Sequence, residues 1–243
     1  MHYVIMLIHQ HNKVFMEYLN NYQLILFDFD GLLVNTEEIH YAAYRLMLQK
    51  HGITFDWSFH KYCLSAHYET TALHDNIYQE YPELHAIESS WDVLYAEKKR
   101  AYMDLVTSGT VALMPGVENL LTTLQDLPAK TCVVTHSAYE QIVAIREQNP
   151  ILNTIDDWIT REDYSIPKPH PECYQTAIAK HASDTDAIIG FEDSPRGLRA
   201  LMKSRATSVL VCDVNYPEID SFIGQGAHHY RDFNQFAKEN SPS

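Results

Sequence analysis

The sequence predicts an α/β protein, a doubly wound parallel sheet with a helical segment inserted after its first strand. Three observations predict it. Leu24–Phe27 is a continuous apolar run of strand length, as expected for a strand buried on both faces, and Asp28 and Asp30 follow it at once. From Met114 onward short apolar runs alternate with helical patterns, which calls for parallel strands and right-handed crossovers. Between these regions, Ile53 to Thr110 is rich in aromatics and histidines, holds one glycine (Gly109) and shows no strand-like run.

The elements follow in order. Asn35 and Glu38 have the spacing of a helix start, a polar cap with a carboxylate three residues later. Ile39, Ala42, Ala43, Leu46 and Met47 then recur at helical spacing until Gly52 stops them. In the insert, "WDVLYAEKKRAYMDLV" sets Leu94, Lys98, Ala101 and Leu105 on related faces of one helix. Arg45, Lys98, Lys99 and Arg100 read as solvated helix faces. After Gly116 the expected order is helix Val117–Leu127, strand Thr131–Val134 and helix Ala138–Gln148, then strand Trp158–Thr160 and helix Pro171–His181. Strand Ala187–Phe191, helix Pro195–Ser204 (proline in its first turn), strand Ser208–Cys212 and a weak strand Ala227–Tyr230 complete it. The expected division is an N-terminal extension over 1–21, a core from 22–35 and 111–243, and a helical insert over 36–110.

Size and composition narrow the function. The 243 residues fit one large domain or a core with a smaller insert. A net charge of −14 argues against nucleic acid and anionic membranes as partners. An acidic protein that handles an anionic substrate needs local compensation, from a metal ion or from a few placed Lys and Arg. Cys63, Cys132, Cys173 and Cys212 are far apart, with no CxxC pair and no Cys/His spacing of a zinc site, so they read as buried thiols of a cytoplasmic protein. The histidines are dispersed and show no HxxxH pair. Val4–Ile8 is too short to span a bilayer and lacks a following small-residue cleavage site. The oligomeric state leaves no signature.

The chemistry lies in what ends the strands. Asp28 and Asp30 follow the first, Thr135 the next, Glu192 and Asp193 a later one. Ligands of open parallel sheets bind at the carboxyl ends of strands, so segments far apart in sequence deliver these groups to one crevice. A spacing of two puts Asp28 and Asp30 on one side of an extended backbone, with Phe29 turned the other way into packing. Four carboxylates in one place repel unless a cation sits among them, and such oxygen donors suit Mg²⁺. A phosphoryl group can then come close enough for Asp28 to attack phosphorus and form an aspartyl-phosphate. Asp30 is placed to protonate the leaving oxygen and later to activate water. Lys168 and the Thr135 hydroxyl are placed to hold the other phosphate oxygens.

"DFDGLLVNTE", "VVTHS", "KPHPE" and "FEDSPRGLRA" resemble, in order, the four motifs of the haloacid dehalogenase-like (HAD) hydrolases. The branch most similar carries a helical cap inserted after the first motif, as phosphoglycolate phosphatases and β-phosphoglucomutases do. The resemblance covers roughly residues 22 to 232. It implies a Rossmann-like core, an aspartyl-phosphate route and Mg²⁺ as cofactor. Asp28 matches the nucleophile and Asp30 the general acid/base, whose main-chain carbonyl joins Asp28 at the metal. Thr135 and Lys168 match the phosphate-holding pair, Asp193 the metal carboxylate, and Glu192 a second acidic contact. His136 and Ser137 fall in the second motif. His40 matches a histidine frequent in relatives.

The resemblance implies a phosphatase acting on a small phosphorylated metabolite, a sugar phosphate or similar, with the cap closing over the site. A sugar phosphomutase is the alternative. Its relatives place an Arg after the first cap helices and a Lys in the last one, whereas "CLSAHYETTA" has no Arg and gapless counting from "PG" puts Met103 at the Lys. A non-catalytic phosphate-binding domain is a third reading; both aspartates being present argues against it. Three departures from the family pattern avoid this chemistry: Asn35 for Asp, Pro167 for Gly, and Ser204–Arg205 for a small residue and Gly. Two roles stay open on sequence: His40 as substrate contact or helix packing, and His136 as pocket lining or packing. Asp193 is preferred as a metal ligand over a cap of the helix at Pro195, a role open to Ser194 as well.

Overall fold

The computed structural model describes residues 16–67 and 72–240. The expectations for Val4–Ile8 and the rest of 1–15 lie outside those residues. Two compact units are present, one of the chain through Val34 and from Leu113 onward, the other of Asn35–Ala112.

The first unit is built on six strands: β1 (Leu24–Phe27), β2 (Lys130–Val134), β3 (Asp157–Ile159), β4 (Ile188–Glu192), β5 (Thr207–Val211) and β6 (His228–Tyr230). They lie in the order β3-β2-β1-β4-β5-β6, and each neighbouring pair is parallel. The chain steps outward one way from β1 through β2 to β3, then restarts at β4 on the other side of β1. That reversal opens a crevice at the carboxyl ends of β1 and β4. All four residues of β1 are fully buried, as the unbroken apolar run predicts. Alternation divides them: Leu24 and Leu26 pack with Cys132, Val134, Tyr174 and Ala177 on one face. Phe27 on the other face stacks on Phe191, centroids 5.4 Å apart.

The second unit is helical among its described residues: α1 (Glu37–Lys50), α2 (Phe59–Ala66), α3 (Ala72–Glu80), α4 (Pro82–Ile87) and α5 (Trp91–Ser108). The stripe of α5 is Leu94, Lys98, Tyr102 and Val106, all buried. Lys98 is only 4% exposed, so it is not the solvated lysine expected. Asn35 does not cap α1. The cap position is Thr36, without a side-chain cap bond, and the Asn35 N–H donates to the Ala112 carbonyl.

The remaining helices complete the first unit on both faces of its sheet: α6 (Val117–Leu124), α7 (Tyr139–Gln148), α8 (Glu172–His181), α9 (Pro195–Leu201), α10 (Ile219–Gly224) and α11 (Phe233–Glu239). Element ends differ from the expected ones by a few residues, most at α6 and α9, whose last expected residues form turns instead. The expected extension over 1–21 does not hold for its last residues. Residues 16–19 form a helical turn, Leu19 is fully buried, and the Tyr18 ring meets Phe236 edge-on at 5.8 Å. A single turn offers too few i, i+3 pairs for periodicity to reveal it.

Candidate active site

The loop leaving β1 is fixed by backbone bonds before any side chain acts. Asp28 N–H donates to the Phe191 carbonyl of β4, and Gly31 N–H to the Val34 carbonyl. Gly31 has φ +77°, a conformation that a side chain would strain, so glycine lets the chain turn sharply behind Asp30. Phe29 is fully buried and meets Trp158 edge-on at 5.3 Å, turned away from the aspartates as the spacing predicts.

Lys168 is the centre of the site. It is 4% exposed, and its Nζ donates to Asp28 Oδ1 at 2.5 Å, Glu192 Oε1 at 2.7 Å and the Val134 carbonyl at 3.0 Å. Burial opposes its charge, but the Asp28 and Glu192 carboxylates outweigh that and hold its pKa well above the usual lysine value. Tyr174 supports the arrangement from α8. Its hydroxyl donates to Glu192 Oε1, and its ring centroid lies 4.9 Å from Lys168 Nζ.

Asp28, Glu192 and Asp193 each offer a carboxylate oxygen within 4.8 Å of the others, and all three residues are buried. One ammonium does not balance three buried carboxylates, and the donors are all oxygen. The cluster therefore fits a hard divalent cation of the Mg²⁺ kind. The Asp30 side chain stands outside this cluster: its Oδ2 accepts from Ser137 Oγ at 2.5 Å and Thr135 Oγ1 at 3.3 Å. Thr135 Oγ1 in turn accepts the Ser137 N–H at 2.9 Å. Capping of α9 falls to Ser194, whose Oγ accepts the Gly197 N–H at 3.2 Å. Asp193 is thus spared that role.

His136 neither simply packs nor simply lines a pocket. Its Nε2 accepts the Lys168 N–H at 2.9 Å, tying the second motif to the lysine loop. Burial, then the charges of Lys168, Arg196 and Arg161, hold its pKa down at about 2, so it is neutral. His40 belongs to the helical unit. Its ring stacks on Tyr102 at 4.1 Å, and its Nδ1 lies 2.5 Å from Lys98 Nζ. Burial, with Lys98 beside it, lowers its pKa to about 3. Helix packing is thus part of its role.

Two predictions arise here. A Cβ at Gly197 would sit 1.9 Å from Glu192 Oε2, so Gly197→Ala should destabilise the chain by about 1–3 kcal/mol, read by urea unfolding. His40 and His136 stay neutral when folded but take protons when unfolded below their ordinary value of 6.5. The unfolded chain then binds more protons, so stability is lost as the pH drops, by about 1.4 kcal/mol per histidine per unit below 6.5. The urea midpoint at pH 5.5 should lie below that at pH 7.5, and His40→Phe should narrow the gap.

The family model described as haloacid dehalogenase-like hydrolase matches residues 25–211. The chain belongs to this family. Validoxylamine A 7'-phosphate phosphatase of Streptomyces hygroscopicus subsp. limoneus is 28% identical to this HAD-like hydrolase, over 75% of this chain and 82% of that protein. Two solved structures share its fold. One is described as a predicted phosphoglycolate phosphatase from Haemophilus somnus (TM-score 0.74, 19% identity, 90% of this chain and 98% of that one). The other is β-phosphoglucomutase from Clostridium difficile (TM-score 0.68, 23% identity, 90% and 97%). The chain is an enzyme, a HAD-like hydrolase of the phosphoric monoester kind.

Sequence reasoning missed Tyr174, the Val134 carbonyl and Lys98. A tyrosine on an amphipathic helix carries no signal of its own. The one clue was position, six residues after Lys168, on a helix that must cross β1 and β2. Lys98 was legible only as an interruption of the apolar stripe of α5.

Proposed function

We propose that this HAD-like hydrolase is a Mg²⁺-dependent phosphatase that hydrolyses a small phosphorylated metabolite, a sugar phosphate or similar, through an aspartyl-phosphate. One observation carries the reading: Lys168 is held between Asp28 and Glu192, while two hydroxyls hold Asp30 apart from that cluster. The division matches two different tasks for two neighbouring carboxylates. Asp28, oriented by Lys168, attacks phosphorus. Asp30 gives a proton to the leaving oxygen and then takes one from water. Lys168 and the Thr135–Ser137 segment hold the phosphoryl oxygens. Asp28, Asp193, Glu192 and the Asp30 carbonyl would hold Mg²⁺, which neutralises phosphoryl charge when bound. The helical unit would set substrate choice as the family's caps do, and His40 is its candidate substrate contact. The setting is cytoplasmic; among the described residues no helix is long and apolar enough to cross a membrane. A relative named phosphorylated carbohydrates phosphatase, from Thermotoga maritima, supports a sugar-phosphate substrate.

One observation favours a second reading, a sugar phosphomutase. Gapless counting put Met103 at the expected cap lysine, but the same helix buries Lys98 against His40. The missing-lysine argument therefore falls, and only the missing arginine remains; part of its loop, residues 68–71, lies outside the described residues. Two assays decide. Inorganic phosphate released from a metabolite panel only with Mg²⁺ present establishes the phosphatase. Conversion of β-glucose 1-phosphate to the 6-phosphate with a bisphosphate primer establishes the mutase instead. Turnover in neither, with Mg²⁺ still raising the melting temperature, points to a non-catalytic domain.

A further inference from the structure

A second group of potential metal ligands lies in the first unit, outside the Asp28 cluster. Cys132 and Asp157 are register partners on β2 and β3, so their side chains leave the same face of the sheet. Helix α8 packs on that face, and its last residue, His181, reaches Asp157: Nε2 lies 2.6 Å from Oδ2. Cys132, Asp157 and His181 each present one donor atom within 4.8 Å of the others.

We propose that these three residues form a binding site for a borderline-soft divalent cation of the zinc type. The donor set is one sulfur, one imidazole nitrogen and one carboxylate oxygen, the mixture zinc takes and Mg²⁺ does not. Burial is graded across the three ligands. Cys132 is fully buried, whereas the Asp157 and His181 side chains are 26% and 12% exposed. The imidazole and carboxylate are thus the solvent-facing ligands and the thiol the inner one. The Cys132 thiol donates only weakly, to the adjoining Val133 carbonyl at 3.4 Å. Burial raises its pKa to about 12, and on binding its proton passes to solvent as the thiolate ligates the ion. Thiolate and carboxylate together balance a 2+ charge. Lys180 Nζ sits 2.7 Å from Asp157 Oδ2, but its side chain is 54% exposed and can swing into water. Three protein ligands leave a fourth, open position. A bound ion would pin the short edge strand β3 to the end of α8. Cysteine and histidine spacing could not reveal the site, because its members come from three elements.

Cobalt(II) is the probe, titrated into the full chain with Mg²⁺ in excess. The expected result is one equivalent bound with a near-ultraviolet thiolate-to-cobalt band, displaced by zinc. Cys132→Ser should abolish the band. Asp193→Asn, which alters the other cluster, should leave it. His181→Ala, at a partly exposed position, should weaken binding at least about tenfold and decides the matter if Cys132→Ser does not fold. No thiolate band in the wild-type chain, a band that survives Cys132→Ser, or undiminished affinity in His181→Ala would each overturn the site.

Discussion

Asp28→Asn should abolish phosphatase turnover, lowering kcat by at least about 10⁴-fold, while the protein stays folded. The amide is the same size as the carboxylate, and its oxygen can still accept from Lys168 Nζ, which also keeps Glu192 Oε1 and the Val134 carbonyl. An amide oxygen cannot act as the nucleophile, so no aspartyl-phosphate forms. Hydrolysis of an aryl phosphate with Mg²⁺ and the melting temperature together test this. A variant within tenfold of wild type would place the nucleophile elsewhere. Asp30→Asn gives a different signature. Its carboxylate, held by Ser137 and Thr135, is assigned to proton transfer rather than attack. With a substrate whose leaving group needs no proton, the first step survives and the second stalls. Mass spectrometry should then find one phosphoryl group on Asp28 in Asp30→Asn and none in Asp28→Asn.

How far the sequence disclosed this arrangement depends on the length of the signal. The apolar run Leu24–Phe27 and the strand–helix alternation after Met114 determine a parallel sheet, and the sheet brings the strand ends together. Asp28, Thr135, Glu192 and Asp193 were legible because each stands at the end of a strand or just after it. Lys168 was legible as a lysine whose backbone is fixed by flanking prolines, and the family motif strengthened that reading; no local pattern says which carboxylates a loop lysine meets. Support from other elements was not legible. Tyr174 and His136 act on the site through a hydroxyl and a ring nitrogen, and the same residue types occur elsewhere in the chain with other work to do. Lys98 was misread because charge predicts exposure, whereas the Tyr44 and Tyr102 rings, 4.9 and 5.3 Å from its Nζ, make a buried ammonium tolerable. Asn35 was misread by one position, the ordinary error of a cap inferred from spacing alone.

Lys168→Met should be the most destabilising single change at the site, costing about 3–5 kcal/mol as well as activity. Its ammonium is the cation that both Asp28 and Glu192 bond, and Glu192 is 1% exposed. Methionine fills a similar volume, so the loss is charge rather than packing. What remains is the three-carboxylate cluster of Asp28, Glu192 and Asp193 without its ammonium, with the Tyr174 hydroxyl as the partner left to Glu192 Oε1. That cost is a large share of the roughly 5–15 kcal/mol that holds a domain folded. The double variant Lys168→Met/Glu192→Gln separates the two roles. Neutralising Glu192, the most buried of the three, relieves much of the repulsion, so stability should return part of the way toward wild type. Activity should stay absent, because nothing then fixes Asp28 or meets the phosphoryl oxygens. Urea unfolding gives the first quantity and aryl phosphate turnover the second. If the single variant unfolds at the wild-type midpoint, Lys168 does not balance these carboxylates; if the double variant regains turnover, its part in the chemistry is dispensable.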